Sequence, residues 1–220
     1  MSRRAAPAAA VPAAPRGARL AANQLKRMRR IVDAAVDLAE SGGFEAVRLR
    51  DVADRSDVAL GTLYKYFRSK EDLLLFALHE EVARLEAELV KRPAAGRSSL
   101  QRITDVFARA TRGLMRSPQL ARALVRAMAV GDPDTAVQIA GLQLRIQRLI
   151  VAALHDIPPD LATPLDGNGG SARERQIAAT LLHVWFSAQV GWSVGLHPTE
   201  TVVEHVRNSA RLILNGGKHE

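Results

Sequence analysis

Between Gly43 and Ser69 the chain has room for two short helices, a turn of three or four residues, and nothing else. Val47 to Arg55 places Leu49, Val52 and Ala53 on one face, Asp57-Val58 supplies the turn, and Ala59 to Phe67 turns Val58, Leu63 and Phe67 to the same side. Two helices this short cannot bury an apolar face against each other alone. The missing cover lies upstream, where Ile31, Ala34, Ala35, Leu38 and Ala39 recur at i, i+3, i+4, i+7 and i+8 until Gly42-Gly43 stops the helix. A three-helix unit follows. With inward positions assigned, Leu60, Thr62, Lys65 and Tyr66 face outward, and Gly61 lets the third helix approach another molecule closely.

Everything downstream also reads as helix. Ser69 is an N-cap with Asp72 as its reciprocal partner, opening a long helix over about 70–91 that ends at Pro93-Ala94-Ala95-Gly96. Further helices are expected at about 98–116, 118–130, 133–155, 173–196 and 200–214, separated by Pro118, Pro133, Pro158-Pro159 and His197-Pro198. One long loop, Leu161 to Ser171, contains Gly167-Asn168-Gly169-Gly170. Hydrophobic residues are 47% of the chain but aromatics only 4%, and no segment alternates as a strand would. The expected fold is all-α: a three-helix N-terminal domain joined by a long helix to a larger helical body.

Charge narrows the partner. The formal charge is +8, and residues 1–30 hold eight basic residues and no acid. The Ala/Pro-rich segment 1–22 reads as a disordered basic arm, 23–72 as the small domain and 73–215 as the body. A short second helix braced by a first is the layout that seats a helix in the DNA major groove. The absence of cysteine removes disulfides and thiolate chemistry and fits a reducing cytoplasm. No Gly-x-Ser-x-Gly or His-Glu-x-x-His occurs, the glycine loop follows no strand, and His155, His183 and His197 are scattered. No enzyme, metal or cofactor is expected. No uninterrupted apolar stretch of about 18 residues occurs, so no membrane span is expected.

Phe44-x-Ala46-Val47, Val52-Ala53, Gly61-Thr62-Leu63-Tyr64-x-Tyr66-Phe67 and Ser69-Lys70-x-x-Leu73 together resemble the TetR family of regulators over about residues 26–75. Asp57, where the turn usually has Gly, and Ala59, where a capping Ser is common, depart from the family pattern. The resemblance implies a homodimeric repressor that leaves a palindromic operator in double-stranded DNA when a small-molecule effector binds. It assigns Arg48 and Arg50 to phosphate or base edges, Leu60, Gly61, Thr62 and Lys65 to the groove, and Tyr64, Tyr66 and Lys70 to phosphates. Lys70 in the first turn of a helix opposes the dipole, which points to an anion beside it.

In the body, Thr180, Val184, Ser187, Gly191 and Gly195 form a small-residue stripe, and Val202, Val206, Ala210 and Ile213 form an apolar one. The resemblance places both in a four-helix dimer interface. Phe107, Met115, Leu124, Met128, Leu142, Ile146, Trp185, Gln189 and Trp192 are the candidate effector pocket, with Met adaptable in shape and Gln189 able to orient a ligand. Met115-Arg116-Ser117-Pro118-x-Leu120 and Val184-Trp185-Phe186-Ser187 with Gly191-Trp192 are similar to the KstR type of steroid-catabolism repressor, which implies a steroid or acyl-CoA effector. Two rival readings stay open: a nonspecific architectural DNA-binding protein, favoured by the basic arm, and an enzyme.

Overall fold

The computed structural model describes residues 16–130, 133–162 and 170–216. These contain α1 (Arg16–Ala46), α2 (Leu49–Arg55), α3 (Leu60–Leu63), α4 (Lys70–Lys91), α5 (Ser99–Leu114), α6 (Pro118–Val130), α7 (Pro133–His155), α8 (Ala172–Ser193) and α9 (Thr199–Gly216). No strand occurs among the described residues. Residues 1–15 of the expected arm, and Gly167-Asn168-Gly169 of the expected loop, lie outside the description. The backbone is already helical at Arg16, seven residues before the expected start at Asn23.

The stop at Gly43 is real: its φ of 69° interrupts α1, and one further turn carries Phe44 to Ala46. Between α2 and α3, Asp57 sits at φ 51°, the left-handed conformation that favours Gly. Asp tolerates this region better than most side chains, so the turn keeps its path without Gly. Ala59 caps α3 with no side-chain hydrogen bond. The third helix is shorter than the sequence suggested, because Lys65 and Tyr66 donate to the carbonyls of Thr62 and Leu63 and tighten the chain after one turn.

Ser69 does cap α4, accepting from the Asp72 amide at 3.1 Å. Asp72 returns its carboxylate to the Arg68 amide at 2.9 Å, one residue earlier than a reciprocal box requires. Full boxes form elsewhere, Ser98 with Gln101 and Ser171 with Glu174.

Core residues from all nine described helices join in one cluster, running from Ile31, Val52 and Leu63 in the small domain through Leu73–Leu75 to Phe107, Ile150 and Leu181. Thr135–His155 of α7 is, by length and composition, apolar enough to cross a bilayer, with a mean hydropathy of 1.3, although Arg145 and Arg148 interrupt it. Its position explains this: α7 packs against α4, α5 and α8, and Leu142, Leu149 and Ile150 are buried there. A central helix is apolar around most of its circumference for that reason.

Candidate DNA-reading surface and effector cavity

The α2–α3 unit presents Arg48, Arg50, Gly61, Tyr64 and Lys65 to solvent, while Thr62 is half-exposed. None of Arg48, Arg50 and Lys65 has an ion pair or side-chain hydrogen bond among the described residues, so the three cations are available to an external anion. A Cβ built on Gly61 meets nothing within 4 Å. Leu60 and Tyr66 are only half-outward; both pack against the core cluster.

Lys70 already has its anion. Its ammonium lies 3.4 Å from Glu45 and 3.9 Å from the centroid of the Phe44 ring. Arg126 of α6 reaches the same carboxylate at 2.7 Å and covers the same ring at 4.7 Å. Phe44 and Glu45, at the end of α1, are therefore held by a cation from α4 and a cation from α6. The pairs are solvent-accessible and individually weak. Their effect is positional: they fix the small domain against α6.

Behind α4 lies a cavity of about 670 Å³. Its walls come from Leu78, Val82 and Leu85 of α4, Leu114 of α5, Met128 of α6, Ile139, Leu142 and Ile146 of α7, and Leu182, Trp185, Phe186 and Gln189 of α8. Five of the nine sequence-derived pocket residues, Met128, Leu142, Ile146, Trp185 and Gln189, line it. Phe107, Met115, Leu124 and Trp192 do not. Phe107 is fully buried with its ring 5.6 Å from Trp185, behind the wall, and Leu124 faces the core. Met115 caps the end of α5 against the core cluster. Trp192 stacks under the Arg122 guanidinium at 4.9 Å.

The sequence reading missed the charged part of the lining. Glu81, Arg84 and Glu88 on α4 oppose Arg109 and Arg112 on α5 and Arg116 just beyond its end. Arg84 and Arg116 share Glu81, and Arg109 pairs with Glu88 at 3.6 Å and Asp105 at 2.7 Å. Steps of three and four put Glu81, Arg84 and Glu88 on one face of α4, and a step of three does the same for Arg109 and Arg112 on α5, a signal present in the sequence.

The cavity is bounded by a pinned pair of helices. Arg145 of α7 forks onto both Glu86 oxygens, at 2.9 and 2.6 Å, and donates to the His79 carbonyl at 3.2 Å. It also lies 3.1 Å from His79 Nδ1; a guanidinium only donates, so Nδ1 accepts. Burial first, and then the Arg145 charge, hold the His79 pKa below the ordinary imidazole range. Gln138 adds a third tie from α7 to α4, donating to Asp72 at 2.5 Å.

The expected dimer stripes need correction. Val202, Val206 and Ala210 are fully buried within the chain, because α9 turns them onto α5 and α8. Ile213 also packs partly against the core. Gly191 is small for a local reason, since a Cβ there would lie 2.7 Å from His197 Nε2 of the same chain. Gly195, at φ 80°, ends α8: its amide donates to the Trp192 carbonyl and that of Leu196 to Gly191, a Schellman stop. Thr180 and Ser187 are exposed and Val184 is half-buried, as an outer face requires. Val194 and Leu196, just after α8, and Leu212 of α9 are exposed, each 75–78% accessible and none singled out from sequence. An apolar stripe on an amphipathic helix marks its inward face, so the outer residues of α9 carried no such mark.

Comparison with known proteins agrees with this arrangement. Residues 31–76 match the model of bacterial regulatory proteins of the tetR family, and residues 96–213 match a tetracyclin repressor-like C-terminal domain. The chain is 33% identical over 194 residues to the HTH-type transcriptional repressor KstR of Rhodococcus jostii strain RHA1, covering 88% of this chain and 85% of that protein. Among solved structures, a TetR transcriptional regulator from Rhodococcus sp. RHA1 superposes with a TM-score of 0.74 at 24% identity, over 87% of this chain and 97% of that one. Thermus thermophilus FadR, a TetR-family repressor solved in complex with lauroyl-CoA, superposes with a TM-score of 0.65 at 22% identity, over 86% and 94%.

Proposed function

The chain belongs to the TetR family of bacterial regulatory proteins, and we propose that it is a homodimeric repressor that leaves a palindromic operator when an amphipathic effector fills the cavity behind α4. The observation that carries this reading is the continuity of α4. One helix starts beside the recognition unit at Ser69 and Lys70, then supplies Leu78, Val82 and Leu85 to the cavity wall. A ligand pressing on those residues moves the reading head. Because a dimer on a palindrome must keep its recognition helices about 34–36 Å apart, a small tilt of α4 in each protomer is enough to break register.

The effector reading rests on the lining. Apolar walls take an apolar body, and Arg112, the lining arginine with no ion pair among the described residues, takes an anionic end. A steroid or acyl-CoA thioester has both parts, and the FadR relative binds lauroyl-CoA. The protein is a regulator and not a catalyst in this reading, and it works in the cytoplasm, where its operator is.

Three experiments test it. Sequencing genomic DNA captured by the protein should return a palindrome, whereas a nonspecific architectural protein returns no motif. On that site, Lys65→Ala and Arg50→Ala should each weaken binding by about 1–3 kcal/mol in a sequence-dependent way. Lys70→Ala should leave the salt slope of binding unchanged, because its ammonium is held by Glu45 and not by a phosphate. Lauroyl-CoA, followed by quenching of Trp185, should bind less tightly when operator is present, by the same factor by which it loosens operator. Identical lauroyl-CoA affinities with and without operator would eliminate the switch.

The dimer is assigned to the outer face of α8 with α9, where Thr180, Val184, Ser187, Val194 and Leu212 leave an apolar and small-residue surface. A two-fold axis brings each such residue near its own copy, so like charges introduced there oppose one another. The double variant Ser187→Arg, Leu212→Arg should sediment as a folded monomer and lose cooperative operator binding. An unchanged dimer would move the interface elsewhere.

A further inference from the structure

The helix α1 is longer than the small domain needs. Its match to the tetR-family model begins at Ile31, yet the helix starts at Arg16. Ile31 is fully buried, and in the stretch from Asn23 to Arg30 Met28 alone packs against the core cluster. Asn23 to Arg27, Arg29 and Arg30 are exposed. A rotation of about 100° per residue places Lys26, Arg27, Arg29 and Arg30 within an arc of about 160°, on the side of α1 away from Met28 and Ile31. Asn23 falls inside that arc and Gln24 outside it. Lys26, Arg27 and Arg29 have no ion pair or side-chain hydrogen bond among the described residues, and the first acid of the chain is Asp33. Lys26 with Arg29, Lys26 with Arg30 and Arg27 with Arg30 are like charges three or four residues apart, which weakens a helix that meets no anion. The stripe ends beside the reading head. Arg30 lies 4.0 Å from Asp57, whose left-handed backbone makes the turn into α3.

We propose that the turns of α1 before Ile31 are a second DNA-contacting surface, a basic rail that follows the phosphates beside the half-site read by α3 and is indifferent to base sequence. The proposal rests on the DNA-binding reading above and adds a surface to it. A one-sided row of cations without a carboxylate fits a row of regularly spaced anions, which the duplex backbone supplies. Arg48, Arg50 and Lys65 give the α2–α3 unit three free cations, and Lys26, Arg27 and Arg29 add as many. A recognition helix of one turn has few side chains to spare for phosphates. Phosphate contacts hold a protein in register on the duplex while base contacts specify the site, so the rail adds affinity and leaves selectivity to α3.

The test titrates the full-length protein with two duplexes of equal length, one carrying the captured palindrome with its flanks and one scrambled, over a range of salt. The triple variant Lys26→Gln, Arg27→Gln, Arg29→Gln removes six cations from a dimer, so the slope of log K against log salt should fall by about five on both duplexes. The ratio of operator to scrambled affinity should stay within about twofold of the parent's, since no base contact is lost. Asn23→Lys and Gln24→Lys have the same net charge and differ in the face of α1 that carries it. Asn23→Lys should steepen the slope by about two and Gln24→Lys should leave it unchanged. An unchanged slope in the triple variant, equal effects of the two lysine variants, or a lost preference for operator would overturn the proposal. If the triple variant melts below the parent, the lysine pair decides alone. If capture returns no palindrome, the operator reading fails, and the slopes on the scrambled duplex still test the rail.

Discussion

Gly61→Leu is expected to abolish specific operator binding, by at least about a hundredfold or roughly 2.7 kcal/mol, while leaving the protein as stable as its parent. The two halves of this expectation come from the same observation. Gly61 is exposed, lies inside α3, and has no heavy atom within 4 Å of the position a Cβ would take. Nothing in the chain needs it to be glycine, and a helix former at this position gains up to about 1 kcal/mol in intrinsic propensity. The remaining reason for glycine is external. A recognition helix one turn long must bring its backbone close to the floor of the groove to let Thr62 and Lys65 reach base edges, and a leucine side chain would stand between them. Circular dichroism melting and operator titration on the same preparation check both halves. Parent-like operator affinity in a folded Gly61→Leu protein would mean that α3 does not approach DNA along this face.

The elements that the sequence made legible share a property: their residues answer to contacts near them in the chain. Helix boundaries at Pro118, Pro133 and Ser69, the stop at Gly43 and the inward stripe of α1 depend on capping, on proline and on one amphipathic face, so spacing alone locates them. The cavity was half legible. Met128, Leu142, Ile146 and Trp185 were found because an apolar wall residue and an apolar core residue look alike, and that same ambiguity admitted Phe107 and Leu124, which are core. What divides wall from core is the packing of α5 against α7 and α8, set by residues distant in sequence. The α9 part of the expected dimer face was misread for the opposite reason. Val202, Val206 and Ala210 are the most regular apolar stripe in the C-terminal helix, and regularity of that kind marks the face turned into its own chain. Gly191 and Gly195 misled through composition: each is required by the turn between α8 and α9, one for the His197 ring and one for a left-handed backbone. Lys70, read from the sequence as a phosphate contact, has a carboxylate of its own chain beside it instead, Glu45, 25 residues earlier.

The largest stability effect is expected from separating Arg145 and Glu86. Both side chains are at least four-fifths buried, and the guanidinium makes two hydrogen bonds to the carboxylate and one to the His79 carbonyl. Removing one partner strands the other charge in a poorly solvated site, which costs about 3–5 kcal/mol for a buried pair. Glu86→Leu and Arg145→Met should each lower stability in urea by that order. The double variant should recover to within about 1 kcal/mol of the parent, since two apolar groups of similar volume need neither desolvation nor partner. The pair also has a functional consequence. Ile139, Leu142 and Ile146 of α7 face Leu78, Val82 and Leu85 of α4 across the cavity, and Arg145 is the tie that transmits a displacement of α7 to the helix carrying the reading head. An apolar contact in its place lets the helices slide, so the double variant should bind operator as the parent does but release it less completely with lauroyl-CoA, its coupling factor reduced by about tenfold. Denaturant titration and the operator titration with and without lauroyl-CoA read the two effects separately. If the double variant is as unstable as the sum of its parts, the pair is not an isolated buried bridge, and if its coupling factor is unchanged, the signal reaches α4 by another route.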